Sequence, residues 1–127
     1  MIILFSGTRK CIHGAEDILT NILNEYNPKT DVIVHGGASG IDSMVGKLAK
    51  FRGFEVITVK ANWKKYGFKA GPIRNQQMLD EHEINVAHFL PYPSLEESRG
   101  TYDCYKRARK KGIKSVIHNI LENTENT

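Results

Sequence analysis

The sequence predicts an α/β fold, a parallel sheet of about five strands with helices on both faces. Short apolar runs alternate from end to end with stretches whose apolar residues recur at helical spacing. Loops rich in glycine or proline separate them, as in βα crossovers that lay successive strands parallel. The chain has 127 residues, 40% hydrophobic and 25% charged, the range of one ordinary globular domain. Residues 1–121 are expected to form it, with a polar, unpatterned tail at 122–127.

Taken in order, Met1–Phe5 is continuously apolar, as a strand covered on both faces must be. Ile18, Leu19, Ile22 and Leu23 mark one face of a helix over Ala15–Tyr26, stopped by Asn27-Pro28. Asp31–His35 is the second strand. Ile41, Met44, Val45, Leu48 and Ala49 define a helix over Ile41–Arg52, closed by Gly53. Glu55–Val59 is the third strand, and Lys60–Pro72 reads as the longest irregular stretch. A helix is expected over Ile73–His82, opened by Pro72, then a strand at Asn85–Leu90. Thr101–Lys111 reads as a helix with a basic last turn, ended by Gly112, and Lys114–His118 as the fifth strand.

The formal net charge is +4, which favours anionic partners such as nucleotides or nucleic acid. The basic residues are spread along the chain, so charge alone selects no partner. No run approaches the 18 or so apolar residues of a membrane span, and Met1–Phe5 is too short for a signal peptide. Cys11 and Cys104 lack metal-ligand spacing, so reduced thiols and a cytoplasmic location are the expectation. His13, His35, His82, His88 and His118 stand singly. Neither a metal nor a cofactor is expected.

In an open parallel sheet, ligands bind outside the carboxyl ends of the strands. Four loops become the candidates. In Ser6-Gly7-Thr8-Arg9-Lys10, Gly7 admits a ligand to the backbone, Thr8 offers a hydroxyl, and Arg9 suits a phosphate. In His35-Gly36-Gly37-Ala38-Ser39-Gly40-Ile41-Asp42, small residues lead from strand to helix, where amides can cradle an anion. The spacing matches neither GxGxxG nor a P-loop. Asp42 is read as a capping charge or an acceptor for a ribose or a neighbouring loop. In Gly71-Pro72-Ile73-Arg74-Asn75, Arg74 occupies a helix start where the dipole disfavours a cation, as if an anion were shared there. A carboxylate partner is the equal alternative. In Ser98-Arg99-Gly100-Thr101-Tyr102-Asp103, Ser98 is a credible N-cap and Asp103 is expected in the first turn. Trp63, Tyr66 and Phe68 read as a base-stacking wall or as aromatics folded over the sheet edge.

Together these segments resemble the SLOG superfamily, a Rossmann-like group that includes the DNA-processing protein A family and the Lonely Guy phosphoribohydrolases. The small stand-alone branch related to YspA and cpYpsA is the most similar. The resemblance spans Met1 to about Ile117. It implies a nucleotide or nucleotide-derived ligand, such as an adenine nucleotide or an ADP-ribose-like molecule. In that reading Gly36, Gly37, Ser39 and Gly40 cradle phosphate, Arg9 and Arg74 neutralise it, Asp42 orients ribose, and Gly100-Thr101 closes the far side. Gly7, Thr8, Asn75 and Ser98 complete the expected contacts. The alternative is a nucleoside 5′-monophosphate N-glycosidase with Arg74 and Asp103 as catalytic residues. Here the sequence departs from Lonely Guy enzymes: Pro91-Tyr92-Pro93-Ser94 replaces the paired glycines, and the acid is a displaced Asp rather than Glu. Single-stranded DNA binding ranks third, because no basic stripe interleaves with aromatics. A second copy of the chain could complete the pocket.

Overall fold

The computed structural model describes residues 1–120, and the expected tail at 122–127 lies outside them. Five strands form one sheet: β1 (Ile2–Gly7), β2 (Val32–His35), β3 (Glu55–Thr58), β4 (Val86–Leu90) and β5 (Lys114–Ile117). Their order is β3-β2-β1-β4-β5, and every neighbouring pair is parallel. Hydrophobicity sorts them. The apolar runs of β1 and β4 lie inside and are almost wholly buried, whereas β3 and β5 form the half-exposed edges.

Side chains alternate across the sheet and feed two separate cores. Ile3, Phe5, Ile33, Val86 and Leu90 face α1 (Ala15–Leu23) and α2 (Ile41–Phe51). Leu4, Val34, Ala87 and Phe89 pack with Met78 and Leu79 of α4 (Ala70–Glu81) and with Cys104 and Ala108 of α5 (Arg99–Lys110). Full burial of each large apolar side chain contributes about 1.5–3 kcal/mol, so both faces are needed to hold the sheet. Gly53 and Gly112 close α2 and α5 where the sequence places them, and Phe54 N–H returns to Ala49 O at 3.0 Å.

The stretch expected to be irregular, Lys60–Pro72, is instead mostly helical. It holds α3 (Trp63–Tyr66), a 3₁₀ turn at Gly67–Lys69, and the first turn of α4. Asn62 starts α3 by accepting from Lys65 N–H at 3.0 Å. Gly71-Pro72 reads as a break, yet first-turn residues have no amide partner four residues back, so the missing N–H of Pro72 leaves nothing unpaired. Smaller corrections concern ends: β1 runs on to Gly7, α1 stops at Leu23, and α5 starts at Arg99. Among the described residues no helix is long and apolar enough to cross a membrane. Cys11 is exposed, Cys104 is buried, and both thiols are free.

Candidate functional site

The chain leaves β1 towards one edge of the sheet and β4 towards the other, so the order reverses between these adjacent strands. Thr8 N–H bonds Leu90 O at 2.9 Å and ties their carboxyl ends together. A crevice must open where the following loops diverge. It is a cavity of about 720 Å³, a size usual for small-molecule sites. Ser6 and Gly7 of β1 and the following Thr8 line it, with Gly71, Pro72, Arg74, Asn75 and Met78 of α4. The Tyr92–Asp103 segment supplies the opposite wall, and the half-exposed Trp63 and exposed Phe68 reach it from α3 and the 3₁₀ turn.

Arg74 is 7% exposed. Its Nη1 donates to Gly36 O, and its Nε donates to Asn75 Oδ1 at 3.0 Å. The described residues contain no ion pair to this guanidinium; their three salt bridges lie elsewhere. Burial lowers its pKa, and the field of Asp42 works against that shift. Of the two sequence readings, the one with a carboxylate partner in salt-bridge contact is not met. Gly36 matters here because any side chain at that position would occupy the space of the guanidinium.

Asn75 reaches across the cavity, donating from Nδ2 to Gly100 O at 3.2 Å and to Asp103 Oδ2 at 3.0 Å. Arg107 Nε donates to the same carboxylate oxygen at 2.9 Å. Asp103 lies in the second turn of α5, not the first, because the helix begins at Arg99. Ser98 occupies the N-cap position, and its carbonyl accepts from Tyr102 N–H at 2.8 Å, but its side chain makes no bond to the helix amides. Its hydroxyl donates to Thr101 Oγ1 at 3.1 Å instead.

Asp42 sits in the first turn of α2 and is 5% exposed. Its Oδ2 accepts from Gly36 N–H at 3.1 Å and Ala38 N–H at 3.2 Å. Its Oδ1 is buried with no hydrogen-bond partner among the described residues. Desolvation pushes this carboxyl up to about 6, against the pull of the two amides and of Arg74 and Arg9. Beside it, burial and then the charges of Lys50 and Arg74 hold His35 down to about 4. Gly37 N–H donates to His35 Nδ1 at 3.0 Å, so the neutral ring carries its proton on Nε2, 3.2 Å from Thr58 Oγ1.

These bonds engage part of the expected phosphate cradle internally. The amides of Gly36 and Gly37 already have internal acceptors, leaving those of Ser39 and Gly40 without one among the described residues. Gly36, Gly37 and Ser39 line a smaller neighbouring cavity, and Gly40 rests on the backbone of Thr8 and Arg9. The other expected residues, Gly7, Thr8, Arg9, Asp42, Arg74, Asn75, Ser98, Gly100, Thr101 and Asp103, meet around the larger one. Arg9 also lies over Trp63, 5.2 Å from the ring centroid. Sequence reasoning missed Lys60 and Met78 as lining residues, since each stands alone and carries no local motif, and noted Tyr92 only as part of the segment that replaces the paired glycines.

A five-stranded parallel sheet in this order, with its crevice at the reversal point, defines the Rossmann-like class of α/β domain. The chain belongs to the YspA, cpYpsA-related SLOG family, whose model matches residues 1–66. It is also similar to the gene 61 protein of Mycobacterium phage D29, with 37% identity over 87 residues. That match covers 65% of this chain and 66% of the phage protein, just under two thirds of its length. Membership of the family suggests a nucleotide-related function. The matched region contains the loops after β1 and β2; Arg74, Asn75 and Asp103 lie beyond it.

Proposed function

We propose that the protein binds a nucleotide or nucleotide-derived ligand in the larger cavity, as a sensor or sequestering module. One observation carries this reading: Arg74 is a buried cation, bonded only to neutral oxygens, on the wall of a cavity. A guanidinium stays charged in proteins, and burying it without an ion pair costs several kcal/mol, which the field of Asp42 only partly offsets. A ligand phosphate beside Arg74 and Arg9 offsets that cost. The unpartnered Oδ1 of Asp42 suits a ribose hydroxyl, which would supply the missing donor. Trp63, Phe68, Pro72 and Met78 give a base apolar surface to lie against.

The test is mass spectrometry of small molecules released from the purified protein, followed by calorimetry with ribonucleotides and their unphosphorylated nucleosides. Binding that requires the phosphate is expected. Equal affinity for nucleoside and nucleotide, or none for either, would overturn the reading.

A second reading, N-glycosidase activity, draws on Asp103, whose carboxylate lines the same cavity as Arg74. It is held by Asn75 and Arg107, which aim it but also occupy one of its oxygens. Under the binding reading, the wild type releases no free base from any nucleoside monophosphate. Asp103→Asn then changes affinity less than about twofold, since the amide oxygen still accepts from Asn75. Base release that falls about 10²–10⁴-fold in Asp103→Asn would select the enzyme instead.

A further inference from the structure

Next to the larger cavity lies a second one of about 340 Å³, between the loop after β2 and the segment after β3. Arg9, Ala38, Trp63 and Arg74 belong to both walls, so the two spaces meet along those residues. Their charges differ. The larger cavity mixes Arg9, Lys10, Arg74 and Arg99 with Asp42, Glu97 and Asp103. The smaller one has Arg9, Lys60 and Arg74 and no carboxylate on its wall.

Lys60 is held there by the backbone. Val59 N–H bonds His35 O at 2.9 Å, so the chain after β3 stays beside the loop after β2. Gly37, with φ at 71°, presses against that chain: a Cβ there would lie 2.9 Å from Thr58 Cγ2 and 3.1 Å from Lys60 Cγ. The lysine stem thus runs along a glycine that leaves it room. None of the three cations takes part in a salt bridge among the described residues. Two of the loop amides facing this region donate to Asp42 and one to His35, so the side chains supply its positive potential.

We propose that the smaller cavity is a second anion subsite, which takes a further phosphoryl group of a ligand whose nucleoside lies in the larger one. The ligand class is then a nucleotide with a pyrophosphate, rather than a nucleoside monophosphate. This rests on the reading of the larger cavity as a nucleotide site. In it, the first phosphoryl group sits at the shared Arg9–Arg74 wall and the second continues towards Lys60. Three cations with no carboxylate on the same wall make the second group attractive, where a mixed lining would not.

Calorimetry of wild type and Lys60→Ala with the four ribonucleosides, each as 5′-mono- and 5′-diphosphate, tests the assignment. For the base that binds, wild type is expected to prefer the diphosphate by about tenfold or more, the worth of one charge-assisted contact. Lys60→Ala should reduce that preference to about two- or threefold and leave monophosphate affinity and melting temperature unchanged. Lys60 is exposed, so the variant keeps the core intact. Equal affinity of wild type for mono- and diphosphate would overturn the second subsite while leaving the nucleotide reading in place. So would equal loss of both ligands in Lys60→Ala. No binding of either form of any base would remove the nucleotide reading and this inference with it.

Discussion

Two clusters of buried polar side chains sit on the sheet, and they are built in opposite ways. On the α1 face, His88 stacks on Phe5 with ring centroids 5.2 Å apart, accepts or donates to Tyr26 Oη at 2.6 Å, and bonds His118 at 2.9 Å. Each ring nitrogen of His88 has one partner, whichever tautomer it adopts. At the carboxyl ends of the strands, Arg74 touches no carboxylate among the described residues and Asp42 keeps a bare oxygen. Both clusters are buried and both shift pKa values. The first is closed and braces the fold; the second is open beside a cavity. Burial of polar groups alone therefore does not single out a candidate site; incomplete partnering beside a cavity is what sets this one apart.

The sharpest break of that contrast is His88→Ala. Loss of a stacked ring and two hydrogen bonds should cost about 2–4 kcal/mol of stability, read by chemical denaturation. Ligand Kd should stay unchanged. A large change in Kd with little loss of stability would mean that the closed cluster belongs to the site after all.

Arg74→Ala is the converse experiment. It should weaken a phosphorylated ligand by about 1.5–3 kcal/mol and leave the unphosphorylated nucleoside almost unaffected. Parallel losses for both would make Arg74 a structural brace like His88.

Acid separates the clusters next. Burial holds His35 and His88 down to about 4, below their ordinary 6.5, so between those values the unfolded chain binds more protons and stability rises with pH. Asp42 opposes this, because its folded value of about 6 lies above the ordinary 3.8. Its contribution is present at low pH and lost as pH rises through about 6. Burial lowers His118 as well, so the histidines outweigh Asp42 and stability should climb with pH near pH 5, measurable by denaturant titration across pH 4–7. Asp42→Asn removes the opposing proton and should steepen the slope.

The smallest effect tests the glycines. A Cβ at Gly100 meets nothing within 4 Å, so Gly100→Ala should project into the cavity, weaken ligand a few-fold and leave the melting temperature alone. Gly37→Ala, at φ 71°, should instead cost about 1 kcal/mol or more in stability. If both lower stability equally, the wall at Gly100 is less open than described.

Much of this was legible in the sequence, and the exceptions share a cause. Alternation of apolar runs located all five strands and the four longer helices, because periodicity is a local property. The start of α4 escaped because Gly71 and Pro72 signal a break wherever they fall, and only their position in a first turn makes them harmless. Arg74 stood out through its odd placement at a helix start, and Asp42 and Asn75 through the loops that carry them. Their bonding did not: whether Arg74 meets a carboxylate depends on segments far apart in sequence. His88 and His118 looked solitary for the same reason, being thirty residues apart yet adjacent across β4 and β5. Lys60 gave no signal because a single lysine after a strand resembles any solvated one.

Trp63 has one further consequence. It is the only tryptophan in the chain, and it lines both cavities with Arg9 over its ring. The protein thus carries its own optical probe at the junction where two ligand moieties would meet. Excited near 295 nm, where tyrosine absorbs little, all of its indole emission comes from that one place. An anion that draws Arg9 off the ring should alter brightness, and a base that covers the ring should shift colour. Occupancy of the crevice can then be followed in an unlabelled sample, millisecond by millisecond.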